Sequence, residues 1–262
     1  MKNLLIYLNP SKAFIDYSWG NENETLAKIQ IDNSLALGWK KADIMLITNF
    51  EYEYRGIKSM VVSDELFCEL RNTATKILVI LHLFDQGLIG DDLYWFHDFD
   101  AFQLEKITEE ELDLGKSPFA LTDYGKSIIS ESRSRRWSTG SIFFRKESEW
   151  IFRMIKDKVY QYQNNEEVAL LVLTRRNRGN INEVIKKLNI TYNLATRYRD
   201  VSACYEMADK PLKVIHFHPF DKRWLHTELG DNIACCVYGK NRLKRVLVSR
   251  RLKNLFKKYN II

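Results

Sequence analysis

The stretch DDLYWFHDFDAFQ, residues 91–103, decides how the chain is read. Tyr94, Trp95, Phe96, Phe99 and Phe102 have the composition of a buried strand, yet Asp98 and Asp100 stand among them one residue apart. Buried carboxylates are costly unless an opposite charge balances them. If residues 98–100 are extended, alternation puts both aspartates on one side and Phe99 on the other. Two like charges held that close repel, and one tends to keep a proton. A hard divalent cation, Mn2+ or Mg2+, removes the conflict, because it takes one or two carboxylates and keeps its other positions for water and phosphate oxygens. Asp-x-Asp by itself also fits a solvated loop start followed by a helix cap, so the surroundings have to decide.

Upstream, Leu4–Leu8 is a buried-type strand stopped by Asn9-Pro10, and NETLAKIQIDNSLALG (23–38) has helical spacing. ADIMLIT (42–48) and IKSMVV (57–62) are expected strands. Ser63-Asp64-Glu65 carries a capping side chain followed by acids and is expected to open a long helix running to about His82. LYWFH then forms a strand that ends at Asp98. Downstream come two strands, PFALTDYG (118–125) and STGSIFFRK (138–146), helices from Glu147 and Asn165, and a late strand in PLKVIHFHPF (211–220). Strands alternating with helices predict an α/β protein with a central sheet flanked by helices, and ligands in such sheets sit beyond the strand carboxyl ends. Asp98 and Asp100 lie at such an end.

The chain has 262 residues, 45% hydrophobic and 13% aromatic, which excludes a disordered or collagenous protein. Its net charge of +6 is concentrated at one end. Residues 240–262 carry nine Lys and Arg and no acid, leaving 31 basic against 34 acidic residues in the rest. A slightly acidic body is not the surface a nucleic acid requires. Cys68, Cys204, Cys235 and Cys236 make no CxxC and are expected to be reduced intracellular thiols. The apolar run at the N-terminus is too short for a signal-peptide core, and no segment has the length of a membrane span. The expected location is cytoplasmic.

The second feature is VIHFHPFDKRW, 214–224. His216 and His218 share one face of a strand, and Lys222 follows within a short loop. Imidazole suits Mn2+. A lysine suits a phosphate whose charge the metal leaves partly unbalanced.

Asp98-Phe-Asp100 after a buried strand, with His216-x-x-Pro219-x-x-Lys222-Arg223-Trp224 near the end, resembles the GT-A-fold glycosyltransferases. The nearest pattern is that of the family-8-like enzymes and related small bacterial and viral transferases, whose late segment reads His-x-x-Gly-x-x-Lys-Pro-Trp. Pro219 and Arg223 depart from it, and Pro219 removes the backbone freedom a glycine supplies. His218 therefore competes with His216. The resemblance spans residues 1–228, the implied catalytic domain, and leaves 229–262 as a basic helical tail.

It implies a GT-A mixed sheet flanked by helices and a hexosyltransferase-like activity that moves a sugar from a nucleotide-sugar, by default a UDP-sugar, to a glycan, lipid-linked or protein-linked acceptor, with retention, the alternative being inversion with Glu166 or Glu167 as the base. Asp98, Asp100 and His216 would hold Mn2+ or Mg2+ against the diphosphate, and Lys222 would contact it. Asn9 and Ser11 would approach the nucleoside, and Lys76 would reach the donor. Ser138, Thr139 and Gly140 would line the sugar pocket. Glu166 and Glu167, with Asp100, are the catalytic candidates, although acids are also welcome in the first turn of any helix.

In the tail, Val248, Leu252, Leu255 and Tyr259 recur at helical spacing among Lys and Arg. Such a helix either lies on an anionic membrane, near a lipid-linked acceptor, or packs on the body. The alternative activity is a metal-dependent nuclease or phosphotransferase using Asp98, Asp100 and a histidine. The acidic body and the lack of a GxxxxGK[ST] loop weigh against it. A non-catalytic module acting through its tail would leave the aspartates unexplained.

Overall fold

The computed structural model describes residues 1–9, 20–125, 136–195, 201–209, 211–217, 234–239, 242–247 and 250–260. In chain order the elements are β1 (Lys2–Tyr7), α1 (Gly20–Ala36), β2 (Ile44–Thr48), β3 (Glu53–Tyr54), β4 (Ile57–Val61), α2 (Thr75–Asp85), β5 (Tyr94–His97) and β6 (Ala101–Gln103). They continue with α3 (Glu109–Leu112), β7 (Phe119–Asp123), β8 (Trp137–Phe144), α4 (Glu149–Tyr162), α5 (Glu166–Arg175), α6 (Ile181–Val184) and β9 (Ile185–Leu188). Last come β10 (Leu194–Ala195), α7 (Val201–Met207), β11 (Val214–His216), β12 (Ala234–Gly239), β13 (Arg242–Leu247) and α8 (Arg250–Lys258).

The central sheet has the strand order β3-β4-β2-β1-β5-β8-β7-β9. Strands β4, β2, β1 and β5 run parallel, whereas β8 is antiparallel to both β5 and β7. The central strands β1, β2, β5, β7 and β8 are mostly buried, so they read as largely apolar runs, while β3, β4 and β9, at or next to the edges, carry exposed polar residues. Within β5, Tyr94 and Phe96 point into the core shared with Ile77, Ile80 and Phe152, while Trp95 points into the opposite core with Phe143 and Val214. A second sheet, β10-β11-β6, leaves the first at the end of β5. There β10 is parallel to β11 and β11 is antiparallel to β6.

Two expectations change. Ser63 caps only a three-residue 3-10 turn, Asp64–Leu66, through the Glu65 N–H (3.2 Å). The chain then runs extended at Phe67, Cys68 enters the core, and its N–H donates to Thr75 Oγ1 (3.0 Å). Helix α2 begins only there, because one turn satisfies the local capping signal and burial of Cys68 takes the chain out of helical geometry. Residues 98–100 are likewise not extended. The Ala101 N–H donates to the Asp98 carbonyl (3.0 Å), closing a tight turn that carries the chain from one sheet to the other.

The C-terminal segment contains the antiparallel pair β12–β13 as well as a helix. Leu252 and Phe256 of α8 are fully buried in one cluster with Phe102, Phe217 and Leu26. Arg251 donates to Asn33 Oδ1 and to the Leu104 carbonyl (3.0 Å), while Lys258 and the Tyr259 hydroxyl reach Asp32 (2.6 and 2.9 Å). Of the apolar stripe, Leu252 is packed on the body with Leu255 and Tyr259 against the same cluster, and Val248 lies outside the described residues. Among the described residues, no helix is long and apolar enough to cross a membrane.

Candidate active site

The turn at 98–101 and strand β11 bring the site together. Ala101 pairs with His216 in the β6–β11 ladder, and the Phe217 N–H donates to the Asp100 carbonyl (2.9 Å). Alternation sends Ile215 and Phe217 into the cluster with Phe102 and leaves His216 on the other face. One ligand atom each of Asp98, Asp100 and His216 then lies within 4.8 Å of the others. His216 Nε2 is 2.9 Å from Asp100 Oδ1 and 4.0 Å from Asp98 Oδ2. Residues 116 positions apart in sequence meet because one ladder register joins them.

The Ser138-Thr139-Gly140 stretch of β8 underlies this cluster. The Gly140 carbonyl accepts from the Asp98 N–H (3.0 Å), and the His216 ring lies against Gly140 where a side chain would otherwise stand. Thr139 Oγ1 donates to Glu166 Oε1 (2.8 Å), and its N–H reaches Glu167 Oε1 (3.4 Å). Ser138 Oγ accepts from Asn193 Nδ2 (2.8 Å), and Asn193 Oδ1 stands 3.2 Å from His216 Nδ1. All three residues are buried, so in this arrangement they support the polar groups from behind.

Lys76 bridges the two halves of the site. Its Nζ donates to Asp98 Oδ1 and Oδ2 (3.0 and 3.2 Å) and to the Thr139 carbonyl (3.2 Å), and lies 3.2 Å from Glu166 Oε1. Three protons thus meet acceptors on three residues. Lys76 is the internal counter-ion of the site. Thr73 Oγ1 completes the shell with a bond to Glu166 Oε2 (2.9 Å). Asn165 caps α5 by accepting from the Val168 N–H (3.0 Å), which fixes Glu166 and Glu167 in the first turn.

These contacts set the charges. Burial alone would deprotonate Lys76, but Asp98 and Glu166 outweigh it and hold its pKa above the ordinary lysine value. Burial would likewise neutralise Glu166, yet Lys76 and the threonine hydroxyls keep its carboxyl below the ordinary range. At Glu167 the opposing pull of Lys76 and the Thr139 N–H is smaller, and burial followed by the Glu166 charge pushes it up to about 7. Burial works against a charged His216, but Asp100 and then Asp98 raise its pKa above the ordinary histidine value. Burial pushes Asp98 up against the pull of Lys76.

The donor set fits a hard divalent cation. Two carboxylates and Nε2 of one imidazole converge, and the other imidazole nitrogen is turned away toward an acceptor. Asn9 lies at the carboxyl end of β1, where its N–H donates to Asn49 Oδ1 (2.8 Å). Ser11, His218 and Lys222 lie outside the described residues. The sequence singled out neither Asn193 nor Thr73.

No protein-family model and no curated protein matches the chain. Solved structures do. Galactosyltransferase LgtC in complex with donor and acceptor sugar analogs aligns over 99% of this chain and 95% of its own, with a TM-score of 0.59 and 14% identity. The apo form of the glycosyltransferase GlyE of Streptococcus pneumoniae aligns over all of this chain and 60% of its own (TM-score 0.53, 13% identity). A glycosyltransferase involved in glycosylation of the major capsid of PBCV-1 aligns over 82% and 93% (TM-score 0.51, 10% identity). The chain has the GT-A fold. On that fold it carries an Asp-Asp-His cluster beyond the carboxyl end of a central strand.

Proposed function

We propose that the protein is a metal-dependent glycosyltransferase that moves a sugar from a nucleoside-diphosphate sugar to a hydroxyl of a glycan or glycoconjugate. The observation that carries this is the convergence of Asp98, Asp100 and His216 at the end of β5 in a GT-A fold. The galactosyltransferase that shares the fold holds donor and acceptor sugar analogs, which supports both partner classes.

Asp98, Asp100 and His216 Nε2 would hold Mn2+ or Mg2+, whose contribution is to neutralise charge on the departing diphosphate. Lys76 orients Asp98, favours its ionised form against the effect of burial, and ties it to Glu166. Glu166, with both oxygens engaged, is a positioning residue. Glu167 is the carboxyl best suited to proton exchange near neutral pH, because a pKa near the working pH suits general acid–base chemistry. Lys222 at the diphosphate, Asn9 and Ser11 at the nucleoside, a UDP donor and retention of configuration complete the proposal from the sequence resemblance. Contact of 240–262 with an anionic surface would rest on outward charges such as Arg250 and Lys257, since Leu252 and Phe256 are buried.

The test is a panel of UDP- and GDP-sugars with Mn2+ or Mg2+, read as nucleoside-diphosphate release and as the anomeric configuration of the product. Release should need the metal and vanish in Asp100→Ala and His216→Ala. Release from no donor, or release indifferent to EDTA and to Asp100→Ala, would refute the proposal.

A further inference from the structure

We propose that Asn193 is a positioning residue that makes Nε2 of His216, and not Nδ1, the nitrogen offered to the cation. This rests on the metal-dependent function proposed above. Asn193 is fully buried and caught from three sides. Its side-chain Nδ2 donates to Ser138 Oγ (2.8 Å), its N–H donates to the Ile190 carbonyl (3.0 Å), and its carbonyl accepts the Tyr124 hydroxyl. The same Tyr124 oxygen accepts from the Ala195 N–H (2.8 Å), so one buried tyrosine pins both ends of the 193–195 segment. Ala195 is in turn the parallel-ladder partner of His216.

Held this way, the amide presents Oδ1 to His216 Nδ1 at 3.2 Å. An amide oxygen accepts and never donates, so the hydrogen belongs on Nδ1, and once a cation in place of a proton balances Asp98 and Asp100 the lone pair of the neutral ring falls on Nε2. Nε2 is the nitrogen that points at Asp100 and Asp98. The choice of an amide follows from its two neighbours. Asparagine gives a hydrogen to a hydroxyl on one side and takes one from an imidazole on the other, without adding charge to a buried site. Strand β8 supplies both halves of the device, since Ser138 orients the amide and Gly140 leaves the space in which the ring lies. Partners of a ligating histidine that fix its tautomer usually change metal affinity by roughly 10–100-fold when removed.

The experiment is Mn2+ titration of the full chain, followed by calorimetry or by the loss of the free-ion EPR signal, with melting temperatures recorded alongside. Asn193→Leu should fold and bind Mn2+ roughly 10–100-fold more weakly. Asn193→Asp keeps an acceptor on Nδ1, although it adds a buried charge, and should retain more affinity than Asn193→Leu. Ser138→Ala, which frees the amide to rotate, should fall between them. The proposal is overturned if folded Asn193→Leu binds like wild type, or if the aspartate and leucine variants lose affinity equally, which would mark a packing role. If Asn193→Leu does not fold, undiminished affinity in Ser138→Ala overturns it. A wild-type chain that binds no Mn2+ refutes the metal site itself, an outcome distinct from a wild type that binds and a leucine variant that binds equally.

Discussion

Gly140 and His216 compete for one space: a Cβ on Gly140 would overlap the Cε1 and Nδ1 atoms of the His216 ring. Glycine is required there for clearance, since Gly140 is not among the glycines with positive φ. Any side chain must push either the ring or strand β8 aside. Gly140→Ala should therefore cost about 1–3 kcal/mol as overpacking and separate His216 from Asp98 and Asp100. Mn2+ titration should show strongly weakened binding in a chain that still melts cooperatively. Unchanged affinity would mean that the ring does not lie where the Asp100 contact puts it.

Lys76→Met should be far more damaging than its position on a helix suggests. It leaves Glu166, buried and with both oxygens engaged, without a counter-ion. Removing one partner of a buried ion pair typically costs about 3–5 kcal/mol. Urea unfolding should show that loss, and the double variant Lys76→Met/Glu166→Gln should regain part of it, because the uncompensated charge is gone. Equal stability of the single and double variants would rule out Lys76 as the internal counter-ion.

Glu167 gives stability a pH signature of definite sign. Its folded pKa is raised from 4.5 to about 7 by burial and by Glu166, against smaller opposing effects of Lys76 and His216. Between those values the folded state binds the proton more tightly than the unfolded chain, so this group makes stability fall as pH rises from about 4.5 to about 7. Glu166 acts in the opposite sense, because its lowered pKa gives a contribution present above the ordinary carboxyl range and lost in acid. The stability of wild type relative to Glu167→Gln should fall as pH rises from 5 to about 7, read from melting curves of both. Parallel curves would place the Glu167 carboxyl in water.

The aspartates were legible because two charges in an aromatic strand demand a cause, and His216 because it ends a strand that could pair near them. The three small residues of β8 stood out in the sequence, but their packing against the histidine did not. A sequence shows that Ser138, Thr139 and Gly140 are small, not that a histidine ring from 76 residues away lies on the glycine. Asn193 had no signal at all, since one asparagine after Tyr192 looks like any turn residue. The onset of α2 was misjudged because capping chemistry at Ser63 is complete after a single turn.

The C-terminal helix was the case that periodicity alone leaves open, because a bilayer and a protein core accept the same apolar stripe. Phe256 separates the two. Its ring is fully buried, 5.0 Å from the Phe102 ring in an edge-on contact and 6.3 Å from Phe217. Phe256→Ala should cost about 3–5 kcal/mol as a core truncation, while Lys257→Ala, exposed on the outer face, should stay within about 0.5 kcal/mol. The consequence reaches the site. Phe102 pairs with Ile215 in the ladder that brings Asp100 to His216, and the Phe217 N–H holds the Asp100 carbonyl. Loosening this cluster should therefore weaken Mn2+ binding as well as lower the melting temperature. A helix whose apolar face served a membrane would behave oppositely: Phe256→Ala would leave melting and metal affinity untouched and would reduce only the binding to vesicles of anionic lipid.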